Sequence, residues 1–365
     1  MRREQLRVAV VGACGDWGRR YTYAYAHHPD AELIALVDTA RDRRQRFAEH
    51  YAIPHQFDTV EELLAWQVPD VVANILPVNA ARDAVIACAR AGVRGISCEK
   101  PIAARLADAD AMVAACTENG AAFACSTAWW AVHNIAKVGD WVRGGAIGPI
   151  TGAAIDGFLA HGDQVSGLGC IILSYLRCAT GDEVDWVEGW TVPDEAAAGD
   201  DDCAAYGALG MSGGYVCNAA PEVPANGAYQ LTLFGERGAV FLAGAAGTVL
   251  LQGSGARARP VRPAFLDEPT ADELAGGPFL GVVGSLMDAV RDGRPAPCSG
   301  HDFRQALEIA AALKLSARDG HRRVALPLAD RSVSVVPIPY RWHGGDVTGW
   351  EVINRPPPSP FSDSE

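Results

Sequence analysis

Through the first 125 residues, apolar positions come in short unbroken runs rather than in alternation. RVAVV (7–11), ELIALV (32–37), DVVANIL (70–76) and 93–98 each read as a strand buried on both faces. Stretches with helical spacing lie between them. One follows the run GACGDWG, and 41–51 carries its charges on one face. TVEELLAW places Thr59 and Glu62 at capping-box spacing, and 80–91 is stopped by Gly92. Buried strands alternating with helices predict a parallel sheet covered on both sides.

After about residue 128 the pattern changes. A helix is expected over 131–143, ended by Gly144 and Gly145. Strands are then expected at 150–158, 185–192, 203–211, 214–218, 229–234 and 239–243, with Gly213-Gly214 and Asn226-Gly227 as turns. Two helices follow, over 281–291 and 302–317. The chain past Pro337 ends in RPPPSPFSDSE, a composition typical of disorder. The fold class is therefore α/β, a Rossmann domain with a parallel sheet over 1–127. An α+β domain with a mostly antiparallel open sheet follows over 128–337, and a disordered tail over 338–365. No internal repeat is present.

Composition narrows the function. At 365 residues there is room for two cores. A net charge of −13 argues against nucleic acid or an anionic membrane as partner. No apolar run reaches the roughly 18 residues of a membrane span. The ten cysteines are scattered, without a CxxC pair or zinc-ligand spacing. Free thiols in the cytoplasm and no metal are expected. Lys100, Lys137 and Lys314 are the only lysines, so a lysine inside a motif carries more information than one of the many arginines.

Gly12, Gly15 and Gly18 sit between the first strand and the first helix. A tight turn and close approach of backbone N–H groups to a pyrophosphate both exclude side chains, and a helix N-terminus favours negative charge. The spacing is GxxGxxG rather than the commoner GxGxxG. Cys14, Asp16 and Trp17 fall within the turn, with Trp17 expected to pack outward and Cys14 to behave as a small buried hydrophobe. Asp38 ends the second strand, where a carboxylate accepts from ribose hydroxyls and repels a 2′-phosphate. That favours NAD; Arg41, Arg43 and Arg44 nearby allow NADP.

Several segments together resemble the glucose-fructose oxidoreductase/inositol dehydrogenase/MocA (Gfo/Idh/MocA) family. They are SCEKPIAARLADADAMVAAC, PDVVANILPVNAARDAVIACARAGV, WVRGGAIGPITG, YQLTLFGERGAVFL and SGHDFRQALEIAAALKLSARDGHRRVALPL, spread over about 5–330. The resemblance implies an NAD(P)-dependent dehydrogenase acting on a sugar, nucleotide sugar, cyclitol or related small molecule. It implies a homo-oligomer formed through the second-domain sheet, and some such proteins serve secondary metabolism. It places Leu76, Pro77 and Glu99 against the cofactor, and Lys100 near the nicotinamide and the substrate oxygen. Pro101 is a candidate for a cis peptide.

The resemblance fails at one motif. Where many members carry D-x-G-x-H-x-x-D, this chain has GLGCIILS: Gly167 for the first acid, Gly169 matching, Ile171 for the histidine and Ser174 for the last acid. Ala81 also stands where many relatives have histidine. Neither isoleucine nor serine is a general base near neutral pH. The proton relay is therefore expected on Lys100, with His161 or Tyr175 as helper. Three further readings stay open: hydride transfer on an altered substrate such as an imine or activated ketone, a non-catalytic or partner-dependent cofactor-binding protein, and a hydrolase or lyase that recycles a held NAD. Asp200-Asp201-Asp202 reads as a solvated loop. Trp129 and Trp130 suit either sugar stacking or core packing.

Overall fold

The computed structural model describes residues 4–125, 135–156, 164–220, 230–243, 247–253, 255–269, 271–277, 279–344 and 353. The first part runs β1 (Leu6–Val11), α1 (Gly18–His27), β2 (Ala31–Val37), α2 (Arg41–Tyr51), β3 (His55–Phe57) and α3 (Val60–Trp66). It continues with β4 (Val71–Asn74), α4 (Val78–Ala91), β5 (Gly95–Cys98), α5 (Leu106–Glu118) and β6 (Ala122–Cys125). The six strands form one parallel sheet in the order β3-β2-β1-β4-β5-β6. The order reverses between β1 and β4, and the carboxyl ends of those strands open a crevice there.

The second part runs α6 (Ile135–Arg143), β7 (Ile150–Asp156), α7 (Cys170–Thr180), β8 (Val184–Val192), β9 (Ala204–Met211), β10 (Val216–Ala219), β11 (Gln230–Gly235), β12 (Gly238–Ala243), β13 (Gly247–Gln252) and β14 (Arg259–Val261). Then come α8 (Ala271–Ala275), α9 (Leu280–Asp292), α10 (Gly300–Arg318), β15 (Val324–Ala325) and α11 (Pro339–His343). Nine strands make one sheet, β14-β13-β12-β11-β7-β10-β9-β8-β15, antiparallel except where β10 meets β7. Both fold-class expectations hold. The short strands β13, β14 and β15 were not expected, because Gly and Pro interrupt their apolar pattern.

Two elements sit elsewhere than chain order suggests. Helix α9, expected with the second domain, packs on the first sheet, where Val283, Leu286 and Met287 share a core with Val8, Val10 and Tyr21. Gly95 makes that possible, since a Cβ there would lie 2.6 Å from Val290 Cγ2. Arg291 locks the helix end to Asp30 at 2.7 Å. The expected tail at 338–365 is likewise corrected at its start. Pro339 opens α11, which lies against α4, and the Ile353 carbonyl accepts from the Tyr51 hydroxyl at 3.4 Å.

Local chemistry explains several boundaries. Ser299 and Asp302 form a reciprocal capping box at the start of α10. At α3 only half the expected box forms: Thr59 accepts from the Glu62 N–H, while the Glu62 carboxylate turns to the Asp58 N–H at 2.8 Å. Asp202 is not part of a solvated loop. Its carboxylate accepts from the N–H groups of Ser166, Gly167 and Cys203 and from the Ser166 hydroxyl, anchoring the chain that enters α7. No helix among the described residues is long and apolar enough to cross a membrane.

Candidate active site

A cleft of about 680 Å³ opens at the carboxyl ends of β1, β2, β4 and β5. The glycine turn forms its floor. Gly12 has φ +72°, and a Cβ there would meet the Ile75 carbonyl oxygen at 2.2 Å; at Gly18 it would meet the Gly12 carbonyl oxygen at 1.8 Å. Those two glycines let backbone pack on backbone. Gly15 differs: the nearest atom to its Cβ would be 3.8 Å away, so it leaves a bare surface on the cleft. With the α1 N-terminus alongside, that surface suits a pyrophosphate.

Asp16 and Trp17 also line the cleft. Asp16 is paired with Arg19 at 2.9 Å and lies 3.7 Å from Arg20, so its charge is offset beside the phosphate-binding surface. Trp17 faces the cleft rather than outward, because its ring is held from behind. The Phe279 ring is 6.5 Å away and the Arg20 guanidinium 4.9 Å away, while Lys100 Nζ stands 6.0 Å from the ring. Cys14 is wholly buried; its N–H donates to Asp38 Oδ2 at 2.9 Å and its carbonyl accepts from Arg43.

Asp38 is aimed by two backbone donors, Cys14 N–H on one oxygen and Ala40 N–H on the other, each at 2.9 Å. Each oxygen keeps acceptor capacity for a ribose hydroxyl. Arg41 and Arg44 are both bound to Asp58, which offsets part of their charge. Arg43 alone of the three lines the cleft.

Glu99 and Lys100 follow β5 at the other end of the cleft, and the Lys100–Pro101 peptide is cis. Lys100 is 9% exposed. Burial, with Arg341 adding to it, draws its ammonium down to about 8, while Glu99 works in the opposite sense. The Glu99 carboxyl is raised by burial against the pull of Lys100, the Tyr21 hydroxyl and Arg341. Tyr21 donates to Glu99 Oε1 at 3.0 Å, and the Lys100 N–H donates to Oε2 at 3.3 Å. The result is a buried amine able to exchange a proton near neutral pH, held beside one partly neutralised carboxylate.

Gly12, Gly15, Asp16, Trp17, Gly18, Asp38, Leu76, Pro77, Glu99 and Lys100 are thus brought to one cleft. Tyr175 is not: it is 4% exposed within α7 and does not line the cleft. Ile171 and Ser174 are buried too, and the Ser174 hydroxyl is spent on the Ile171 carbonyl at 2.7 Å. His161, Trp129 and Trp130 lie outside the described residues. No group of three metal-ligating side chains occurs among the described residues.

Sequence reasoning missed the C-terminal contribution. Tyr340, Arg341, His343 and Gly344 line the cleft from α11. Arg341 donates from Nε to Gln164 Oε1 at 2.8 Å and from Nη1 to the Lys100 carbonyl at 3.2 Å. The signal was present as PYRWHGG, a proline at a helix start followed by aromatic and basic residues. It was masked by the proline-rich end that follows.

Residues 6–127 match a family described as an oxidoreductase family with an NAD-binding Rossmann fold. The match covers the Rossmann domain, about a third of the chain. The Gfo/Idh/MocA resemblance therefore holds, and the chain is an NAD-dependent oxidoreductase. It is 28% identical to D-apiose dehydrogenase of Paraburkholderia graminis over 342 residues, covering 87% of this chain and 89% of that one. It is 26% identical to myo-inositol 2-dehydrogenase of Thermotoga maritima over 332 residues, covering 86% and 97%. Among solved structures, aldose-aldose oxidoreductase from Caulobacter crescentus, complexed with glycerol, shares the fold with TM-score 0.71 at 24% identity, covering 88% of this chain and all of that one. Levoglucosan dehydrogenase in complex with NADH superposes with TM-score 0.71 at 15% identity, covering 89% and 100%.

Proposed function

We propose that this oxidoreductase interconverts a hydroxyl and a carbonyl on a sugar or cyclitol, with Lys100 holding and moving the proton at the reacting oxygen. The observation that carries the reading is the buried Lys100 ammonium in the same cleft as the glycine turn and Asp38. Two relatives spanning most of the chain are named for a sugar and a cyclitol, which supports the substrate class. NAD, when bound, supplies the hydride acceptor. The bare face of Gly15 and the start of α1 would take its pyrophosphate, and Asp38 its adenosine ribose. Leu76, Pro77 and Glu99 would wall the end nearest Lys100.

Lys100 can give a proton to a forming alkoxide or take one from a hydroxyl, since its affinity for the proton lies near that of the medium. The Glu99 charge partly balances the ammonium. His161 stays a candidate helper; Tyr175 has a packing role. We further propose a homo-oligomer through the nine-stranded sheet. Val216, Phe234 and Val249 are exposed on it, at 38%, 43% and 44%. Such an apolar face on a sheet suits a second copy of the chain. Phe234→Glu with Val249→Lys should then lower the mass seen by light scattering. Ten free cysteines support a cytoplasmic setting.

The decisive experiment follows NADH formation from D-apiose, myo-inositol and a panel of aldoses, alongside calorimetric titration of the four nicotinamide cofactors. Lys100→Met should lower turnover about 100-fold or more, the scale of a positioned acid-base group, with NADH affinity little changed. A protein that binds none of the four cofactors would sink the reading.

A further inference from the structure

The Lys100 end of the cleft holds more positive charge than hydroxyl chemistry alone requires. Arg341 is half-buried there and forms no ion pair among the described residues. The nearby acids are already committed. Glu99 takes hydrogen bonds from Tyr21 and from the Lys100 N–H, and burial favours its protonated form. Asp202 is occupied by three backbone N–H groups and a hydroxyl. Two cations, Lys100 and Arg341, thus face one weakened carboxylate.

Arg341 is also built into place. Its Nε is fixed by Gln164 and its Nη1 by the Lys100 carbonyl, which sets the plane of the guanidinium. Of its five N–H groups, those of Nη2 have no partner among the described residues, which leaves a fork edge for an oxyanion. Gly167 makes room for this. A Cβ there would stand 2.7 Å from Gln164 Oε1 and 3.1 Å from Arg341 Nε. The glycine that replaces an acid in the altered GLGCIILS motif is therefore what admits the arginine. The local charge is reversed rather than merely lost.

We propose that Arg341 is a specificity-determining residue that binds an anionic group, a carboxylate or a phosphate, carried by the sugar or cyclitol substrate. This rests on the oxidoreductase reading above. Lys100 serves the reacting oxygen, and Arg341 holds the anion at a second point of the same molecule. Two-point attachment orients the substrate, and a planar fork matches an oxyanion better than an ammonium does.

The test uses the NADH-loaded protein, titrated by calorimetry with D-gluconate, D-glucuronate and D-glucose 6-phosphate against D-glucose and D-sorbitol. At least one anionic probe should bind about tenfold or more tightly than the neutral ones, the scale of one charge-assisted contact. The carboxylate and phosphate arms tell the two sources apart. Arg341→Met should remove that preference, so that anionic probes bind no more tightly than neutral ones; Arg341→Lys should keep part of it. Gly167→Asp serves as a second variant: its side chain takes the space that admits the guanidinium and adds a negative charge there, and it too should abolish the preference. Equal binding of anionic and neutral probes by the wild type overturns the proposal, as does a preference that survives both Arg341→Met and Gly167→Asp. Either result with NADH binding intact leaves the oxidoreductase reading standing, whereas loss of NADH binding by the wild type would strike that reading instead.

Discussion

The Tyr21 hydroxyl donates a 3.0 Å hydrogen bond to Oε1 of Glu99, joining α1 to the residue beside the candidate catalytic lysine. Tyr21 is fully buried, with the Phe279 ring edge-on at 4.7 Å, so the hydroxyl has little freedom to leave its partner. The bond couples the helix that starts at the glycine turn to the proton affinity of the Lys100 end of the cleft.

A pH profile should report that coupling. Burial and Arg341 draw Lys100 down to about 8, and the Glu99 charge resists. Oxidation needs the neutral amine, so its kcat/KM should rise with pH and level off above about 8. Reduction needs the ammonium and should fall above the same point. Glu99→Gln removes the resisting charge and should move the break to lower pH. Tyr21→Phe should move it the same way by less, because Glu99 then holds its proton more readily. A break that stays put in Glu99→Gln contradicts the coupling.

The glycines should separate by role. Gly15→Ala leaves the fold intact, since its Cβ finds open space, but intrudes on the cofactor surface. Its melting temperature should match the wild type while NADH affinity, followed by fluorescence, falls. Gly12→Ala and Gly18→Ala put a methyl into backbone carbonyls and should lower the melting temperature itself, through a stability loss larger than the ~1 kcal/mol typical of point mutants.

Asp38 should set the cofactor. Asp38→Asn keeps an acceptor for only one of the Cys14 and Ala40 N–H groups, and it removes the charge that repels a 2′-phosphate. The ratio of NAD to NADP efficiency should fall by about tenfold, the effect of one charged contact. Adding Arg43→Ala should restore part of the ratio by removing the one cleft-lining arginine next to Asp38.

Asp70 should dominate acid sensitivity in the first sheet. Burial raises its carboxyl, but the Arg7 side chain, the Arg7 N–H and Arg94 outweigh burial and hold it at about 2. A carboxyl depressed in the folded state adds stability above its unfolded value. That stability is lost as pH falls through the folded one, between about 4 and 2. Asp70→Asn should cost about 1 kcal/mol at neutral pH for a partly exposed pair, roughly 2–4 °C in melting temperature. The gap should close in melts run near pH 2.

Much of this was legible from local chemistry. The buried runs from Val8 to Ile96 fold as parallel strands because apolar residues without alternation must be covered on both faces. The glycine turn, Asp38 and Lys100 follow strand ends, and all parallel strands of one sheet end on the same side. Placing those residues on strands therefore also placed them in one cleft. What required the tertiary structure was everything set by contacts between distant segments. Helix α9 returns to the first sheet because Gly95 admits Val290. Tyr175 turns into the α7 core although its type suits catalysis. Arg341 reaches Lys100 from a segment whose composition suggested disorder, and it does so because Gly167 leaves the space. Periodicity and turn chemistry act over a few residues and can be read along the chain; a cavity filled from far away cannot, because the residue that fills it and the one that makes room are matched only in space.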